Sequence, residues 1–107
     1  MVITDTISRL DATRHRVSLT PSGEIDAGNV DALASLIHDA LLSGAHELDL
    51  DLRSVSFMDT AAVEVLCAAR DSLEALGGHL CIRNATSSVR RLLSLTAFTP
   101  GRRLAHG

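Results

Sequence analysis

Tryptophan and tyrosine are absent from this chain, and two phenylalanines are its only aromatic residues. The side chains that most often anchor interfaces or stack on nucleic-acid bases are therefore missing, so aliphatic and charged contacts must carry any partner binding. Long apolar runs are missing as well, none approaching the roughly 18 residues that cross a bilayer. The start, Met1-Val2-Ile3-Thr4-Asp5, has neither the basic nor the apolar region of a signal peptide. These absences predict a cytoplasmic protein without membrane insertion.

Cysteine is scarce. Cys67 and Cys81 lie far apart, one in a predicted helix and one in a predicted strand, and read as buried, inert thiols rather than a disulfide or metal framework. Net charge is only -3, and no basic run exceeds Arg90-Arg91 or Arg102-Arg103, which excludes nucleic-acid binding by a charged stripe. His15, His38, His46, His79 and His106 are scattered, and His79-Leu80-Cys81 offers two ligands without others, so no metal site is expected. His38 and His46 are expected to face solvent. There is no nucleophile elbow and no phosphate-binding glycine loop, so neither a catalytic residue nor a cofactor is predicted.

What is present reads as one domain over residues 1–107, large enough for one core. Arg16-Val17-Ser18-Leu19-Thr20, Leu48-Asp49-Leu50-Asp51-Leu52 and His79-Leu80-Cys81-Ile82-Arg83 alternate apolar and polar, as strands buried on one face do. By the same alternation, Asp49 and Asp51 belong to the solvated side. A further strand is predicted over about Val2 to Arg9, with Asp11 to His15 as a turn.

Val30, Leu33, Ala34, Ile37 and Leu41 recur at helical spacing, with Asn29 as the expected N-cap and Gly44 as the stop. Ala62, Val65, Leu66, Ala69, Leu73 and Leu76 form a second stripe ended by Gly77-Gly78. A third, Val89, Leu92, Leu93 and Thr96, starts from Thr86 or Ser87 and closes before Pro100, leaving a frayed tail from Gly101. Strand, helix, strand, helix, strand means two crossovers and a parallel core. The half-polar strands predict an α/β fold with helices mainly on one face of the sheet.

Asp59-Thr60 precedes the second helical stripe. The Asp59 carboxylate can accept from the free amides of the first turn, and Met58 with Val63 can staple the chain's approach to the helix. Thr60, at the first helical position, would be exposed at the carboxyl end of a parallel strand, where open α/β sheets place their sites, and Asp26 should reach the same edge. A phosphate on Thr60 would sit on the positive end of the helix dipole without unfolding the domain.

The window Asp51-Leu52-Arg53-Ser54-Val55-Ser56-Phe57-Met58-Asp59-Thr60-Ala61-Ala62-Val63-Glu64-Val65-Leu66 resembles the central motif of the STAS family of bacterial anti-sigma factor antagonists. Gly23-Glu24-Ile25-Asp26 is similar to that family's Gly-Glu-Leu-Asp, and Val89-Arg90-Arg91-Leu92-Leu93 to its last helix. The three matches, in order, span most of the chain. The resemblance implies a STAS-like mixed sheet of about four strands around a parallel β-α-β-α-β core.

It further implies a protein that is not an enzyme. Unmodified, it would bind an anti-sigma factor that is also a serine/threonine kinase, and phosphorylation on Thr60 would release it until a phosphatase reverses the change. The partner edge implied is Asp26, Asp59, Thr60, Ala61, Ala62 and Glu64. Thr60 stands where serine is usual, and Ala62 where glycine would let a partner's backbone come close. One alternative is a STAS subunit bound to the ATPase of an ABC-type lipid transporter; a phospho-acceptor receiver domain, suggested by the α/β alternation with Asp49 and Asp51, is disfavoured because both aspartates alternate with the apolar face within the strand.

Overall fold

The structure, a computed structural model, describes residues 2–9 and 15–96, with side chains from Arg16 onward. Of the turn expected at Asp11 to His15, residues 11–14 lie outside the described residues, as does the tail from Gly101, whereas His15 begins a strand.

A long strand, β2 (His15–Ile25), organises the sheet. On one side β1 (Val2–Arg9) pairs antiparallel to it, from Val2 opposite Ser22 to Arg9 opposite His15. On the other, β3 (Ala45–Asp51) runs parallel to its first half, with Leu19 opposite Leu50. β4 (Ser54–Met58) takes up the ladder further along, with Ser22 opposite Ser54 and Ile25 opposite Met58. β5 (His79–Arg83) lies parallel to the outer edge of β3. The sheet is thus mixed and five-stranded.

The predicted strands are all present, but β2 is longer than expected and β4 is an addition. β4 hides from a period-two reading because Val55 pairs with Gly23 and Phe57 with Glu24, leaving Ser56 as an extra residue in a bulge. Its neighbours Ser56 and Phe57 are both exposed, so the alternation fails there.

Helix α1 (Val30–Leu42) connects β2 to β3, and α2 (Thr60–Ala75) connects β4 to β5. Both crossovers advance across the sheet in one direction, so right-handed connections put both helices on one face, where they pack on each other. Val17, Leu19, Leu48, Leu50 and Leu80 of the strands meet Leu33, Ile37, Leu66 and Leu73 of the helices in one core. The last helix, α3 (Ser87–Leu95), packs against β4 and is capped by Thr86, whose Oγ1 accepts from the Val89 amide at 3.4 Å.

Both glycine stops are observed. Gly44 (φ 90°) follows α1, and Gly77 (φ 80°) turns the end of α2 so that the Gly78 amide donates to the Leu73 carbonyl at 2.7 Å. The chain there lies against β3, for a Cβ on Gly78 would stand 2.0 Å from the His46 carbonyl oxygen. This contact corrects the expectation for His46, which is half-buried with its Nδ1 enclosed, whereas His38 is exposed as predicted.

The other sheet face is polar but not simply wet. Asp49, expected to be solvated, is only 8% exposed, because arginines on both neighbouring strands lie over it. Arg16 Nε is 3.5 Å and Arg83 Nε 3.6 Å from its Oδ2, and Arg16 also reaches Glu47 at 3.1 Å. Cys81 shares this face and is half-buried rather than buried; burial, then the nearby Asp49 charge, pushes its thiol above the ordinary range, which disfavours the reactive thiolate.

Where β3 gives way to β4, Asp51 accepts from Arg53 Nε at 2.9 Å and from Asn84 Nδ2 at 3.3 Å. The Arg53 hydrogen bond holds the Asp51 carboxyl below the usual carboxylate range. A carboxyl lowered on folding adds stability above its unfolded value and loses it as pH falls through the folded one. Asp51→Asn is therefore expected to flatten the acid limb of a urea-unfolding series run from neutral pH downward; an unchanged limb would show that the clamp contributes nothing.

Candidate functional site

At the carboxyl end of the sheet two strand-to-helix junctions meet. The first runs from Ile25 through Asp26-Ala27-Gly28-Asn29 into α1. Asn29 stands at the N-cap position of α1, yet its side chain makes no bond to the helix, contrary to expectation. Its Oδ1 instead accepts from the Asp26 amide at 3.0 Å and its Nδ2 donates to the Glu24 carbonyl at 2.9 Å. The backbone carbonyl of Asp26 then receives the Asn29 and Val30 amides at 3.1 and 2.9 Å.

The Asp26 side chain is also used within this loop, its Oδ1 accepting from the Gly28 amide at 2.9 Å. A Cβ on Gly28 would stand 3.2 Å from that oxygen, so glycine lets the turn close tightly. Both aspartate and asparagine thus stabilise the loop locally, as such residues do in turns.

The second junction is Met58-Asp59-Thr60. Asp59, in extended backbone, caps α2 as predicted: Oδ1 accepts from the Ala62 amide at 3.3 Å. Its other oxygen, Oδ2, accepts from the Ala27 amide at 3.1 Å, and its own amide donates to the Ile25 carbonyl at 3.2 Å. One carboxylate therefore caps a helix and fastens it to the neighbouring loop. Met58 and Val63 are both buried, in the positions of a hydrophobic staple.

Asp59→Ala should cost about 1 kcal/mol for the cap and a similar amount for the bond to Ala27. Chemical denaturation is the check, and a variant as stable as the parent would mean that the junction holds without its carboxylate.

Thr60 opens α2 and is exposed, and its hydroxyl has no hydrogen-bond partner among the described residues. Asp26 and Asp59 are half-buried beside it, Ala61 is half-buried, and Glu64 is exposed one turn along. Ala62 is 0% exposed, as its place in the apolar stripe predicts and unlike its place on the implied partner edge: its methyl packs into the core and shapes the edge from beneath. Glu24 and Asp31 are exposed nearby in sequence on the first junction and first turn of α1, so the edge is acidic.

Sequence reasoning missed one residue here. Phe57, 49% exposed, lies three positions before Thr60, so an aromatic side chain is available after all. Its signal was the broken alternation at Ser56-Phe57. No group of three or more histidine, cysteine, aspartate or glutamate side chains that could hold a metal ion occurs among the described residues, and no helix there is long and apolar enough to cross a membrane.

Comparison with known proteins follows the same lines. The family model described as the STAS domain matches residues 8–102. An anti-sigma factor antagonist from Mycobacterium paratuberculosis superimposes with a TM-score of 0.67 at 27% identity, covering 90% of this chain and 79% of that one. The unphosphorylated anti-sigma factor antagonist SpoIIAA gives 0.74 at 20% identity over 89% and 82%; the same protein from Bacillus is also known in its phosphorylated form. The STAS domain of a SulP transporter from Vibrio cholerae gives 0.59 at 21% over 84% and 68%. A search among curated proteins finds no match.

Proposed function

This chain belongs to the STAS domain family, and from that premise we propose that it is an anti-sigma factor antagonist switched by phosphorylation on Thr60. The observation that carries the reading is the exposed, unpartnered Thr60 hydroxyl at the first position of α2, on a junction held by Asp59. The likeness to an antagonist at 27% identity supports it, as does the existence of SpoIIAA in both phosphorylated and unphosphorylated forms.

Unmodified, the edge of Asp26, Asp59, Thr60, Ala61 and Glu64 docks a kinase-type anti-sigma factor in the cytoplasm, with Phe57 at its margin. Binding frees the sigma factor. The kinase supplies ATP and the catalytic groups; this chain supplies the hydroxyl. A phosphate brings a charge of about -1.5 to -2 to an edge already acidic. In a closed interface that charge meets repulsion and desolvation, and every 1.4 kcal/mol or so lowers affinity tenfold. A serine/threonine phosphatase restores the binding form.

Incubation with the cognate kinase and ATP should add one phosphate, placed on Thr60 by mass spectrometry. A phosphate elsewhere, or none with an active kinase, would sink the switch. The SulP likeness favours a second reading, a STAS unit regulating a membrane transporter. Affinity capture from the source cells separates the two by whether the bound protein is kinase-like or a membrane transporter.

A further inference from the structure

The face of α1 and α2 turned away from the sheet carries a groove that shares only its bordering Glu64 with the Thr60 edge. Ala34, Ile37 and Leu41 of α1 and Val65, Ala68 and Ala69 of α2 line it, and its volume is about 200 Å³. Small side chains along α2 keep it open. Helical spacing extends it toward the C-terminal ends of both helices: Leu42 lies four residues beyond His38, and Leu76 four beyond Ser72, both of which line the groove. Leu42 is 73% and Leu76 60% exposed, so the apolar strip runs on past the groove into solvent.

The charges around this strip have one sign. Asp31 and Asp39 border it beside Ala34 and His38 on α1, and Glu64 is exposed one turn before Ala68 on α2. None of the three has an ion-pair partner among the described residues. The single arginine of the two helices, Arg70, has a side chain only 9% exposed and lies 3.1 Å from Asp71, so it does not offset them. An apolar trough between unpaired carboxylates is complementary to an amphipathic helix with leucine-like anchors on one face and cations on its flanks. Anionic membrane would be repelled by the same carboxylates.

We propose that the α1–α2 groove docks a basic amphipathic helix of a partner protein, independently of Thr60. The apolar face of that helix fills the trough between Ala34 and Ala68 and covers Leu42 and Leu76. Its cations meet Asp31, Asp39 and Glu64.

The test uses the full chain and a fluorescein-labelled peptide with leucines at i, i+3, i+4 and i+7 and lysines elsewhere, followed by anisotropy. Saturable binding is expected, weakening as salt is raised. A peptide with glutamate for every lysine should bind at least tenfold more weakly, and Ala68→Arg, which fills the trough with a cation from an exposed helical position, should lose at least tenfold as well. Thr60→Ala, which changes no charge beside Glu64, should leave peptide affinity unchanged. If Ala68→Arg alters thermal unfolding, Leu42→Ser with Leu76→Ser replaces it. The proposal is overturned by absence of saturation, by equal affinity for the two peptides, or by trough variants that bind like the parent. It is overturned equally if sedimentation shows the chain dimerising through this face, since a second copy would then be its occupant.

Discussion

Thr60→Glu should weaken the proposed complex with an anti-sigma factor at least tenfold while the unfolding temperature stays within a degree or two of the parent. The two halves of that result come from different places. Thr60 is exposed and its hydroxyl bonds to nothing among the described residues, so replacing it removes no internal hydrogen bond. A carboxylate in the first turn also suits the helix dipole, an effect of about 0.3–1 kcal/mol in the stabilising direction. Across an interface the same charge adds to Asp26, Asp59 and Glu64 and must be desolvated there. Thr60→Ala should retain binding and resist the kinase. Calorimetric titration of the three forms decides the matter: equal affinities would reduce Thr60 to an ordinary helix start, and a large loss of thermal stability would make the binding result uninterpretable as a switch.

The largest effect on stability is expected at Gly78. An added Cβ would stand 2.0 Å from the His46 carbonyl oxygen and 2.8 Å from its carbonyl carbon, both backbone atoms that no rotamer change can move. Gly78→Ala must therefore push the end of α2 away from β3 and strain the turn that joins α2 to β5. Overpacking of this kind costs about 3 kcal/mol, or roughly 15 °C in a domain of this size. Gly77→Ala is the matched control, because nothing lies within 4 Å of its Cβ position and only its φ of 80° is unfavourable. About 1–2 kcal/mol is expected there. Equal losses at the two positions would show that backbone conformation, and not the approach of His46, explains the glycine pair.

Much of this arrangement was legible in the sequence where its cause is local. The stripes of α1 and α2, the glycines that stop them, the Asp59 cap and the exposure of Thr60 follow from spacing and first-turn chemistry. The rest depends on partners distant in sequence. Asn29 looks like a cap until the loop folds and offers it the Asp26 amide and Glu24 carbonyl. Asp49 looks solvated until Arg16 and Arg83 arrive from neighbouring strands. β4 is hidden because its bulge is defined by β2, and Ala62, which reads both as core stripe and as partner edge, is settled by the core it packs into. At the edge itself, the aspartates were readable, but the bond from Asp59 to Ala27 was not.

That bond spans 32 residues, and the same carboxylate serves an amide only three residues away. The edge consequently exists only when both junctions are in place. A nascent chain, or one with either crossover undone, can carry threonine at position 60 without presenting it in this frame. A partner that reads the frame as well as the hydroxyl would pass over immature copies.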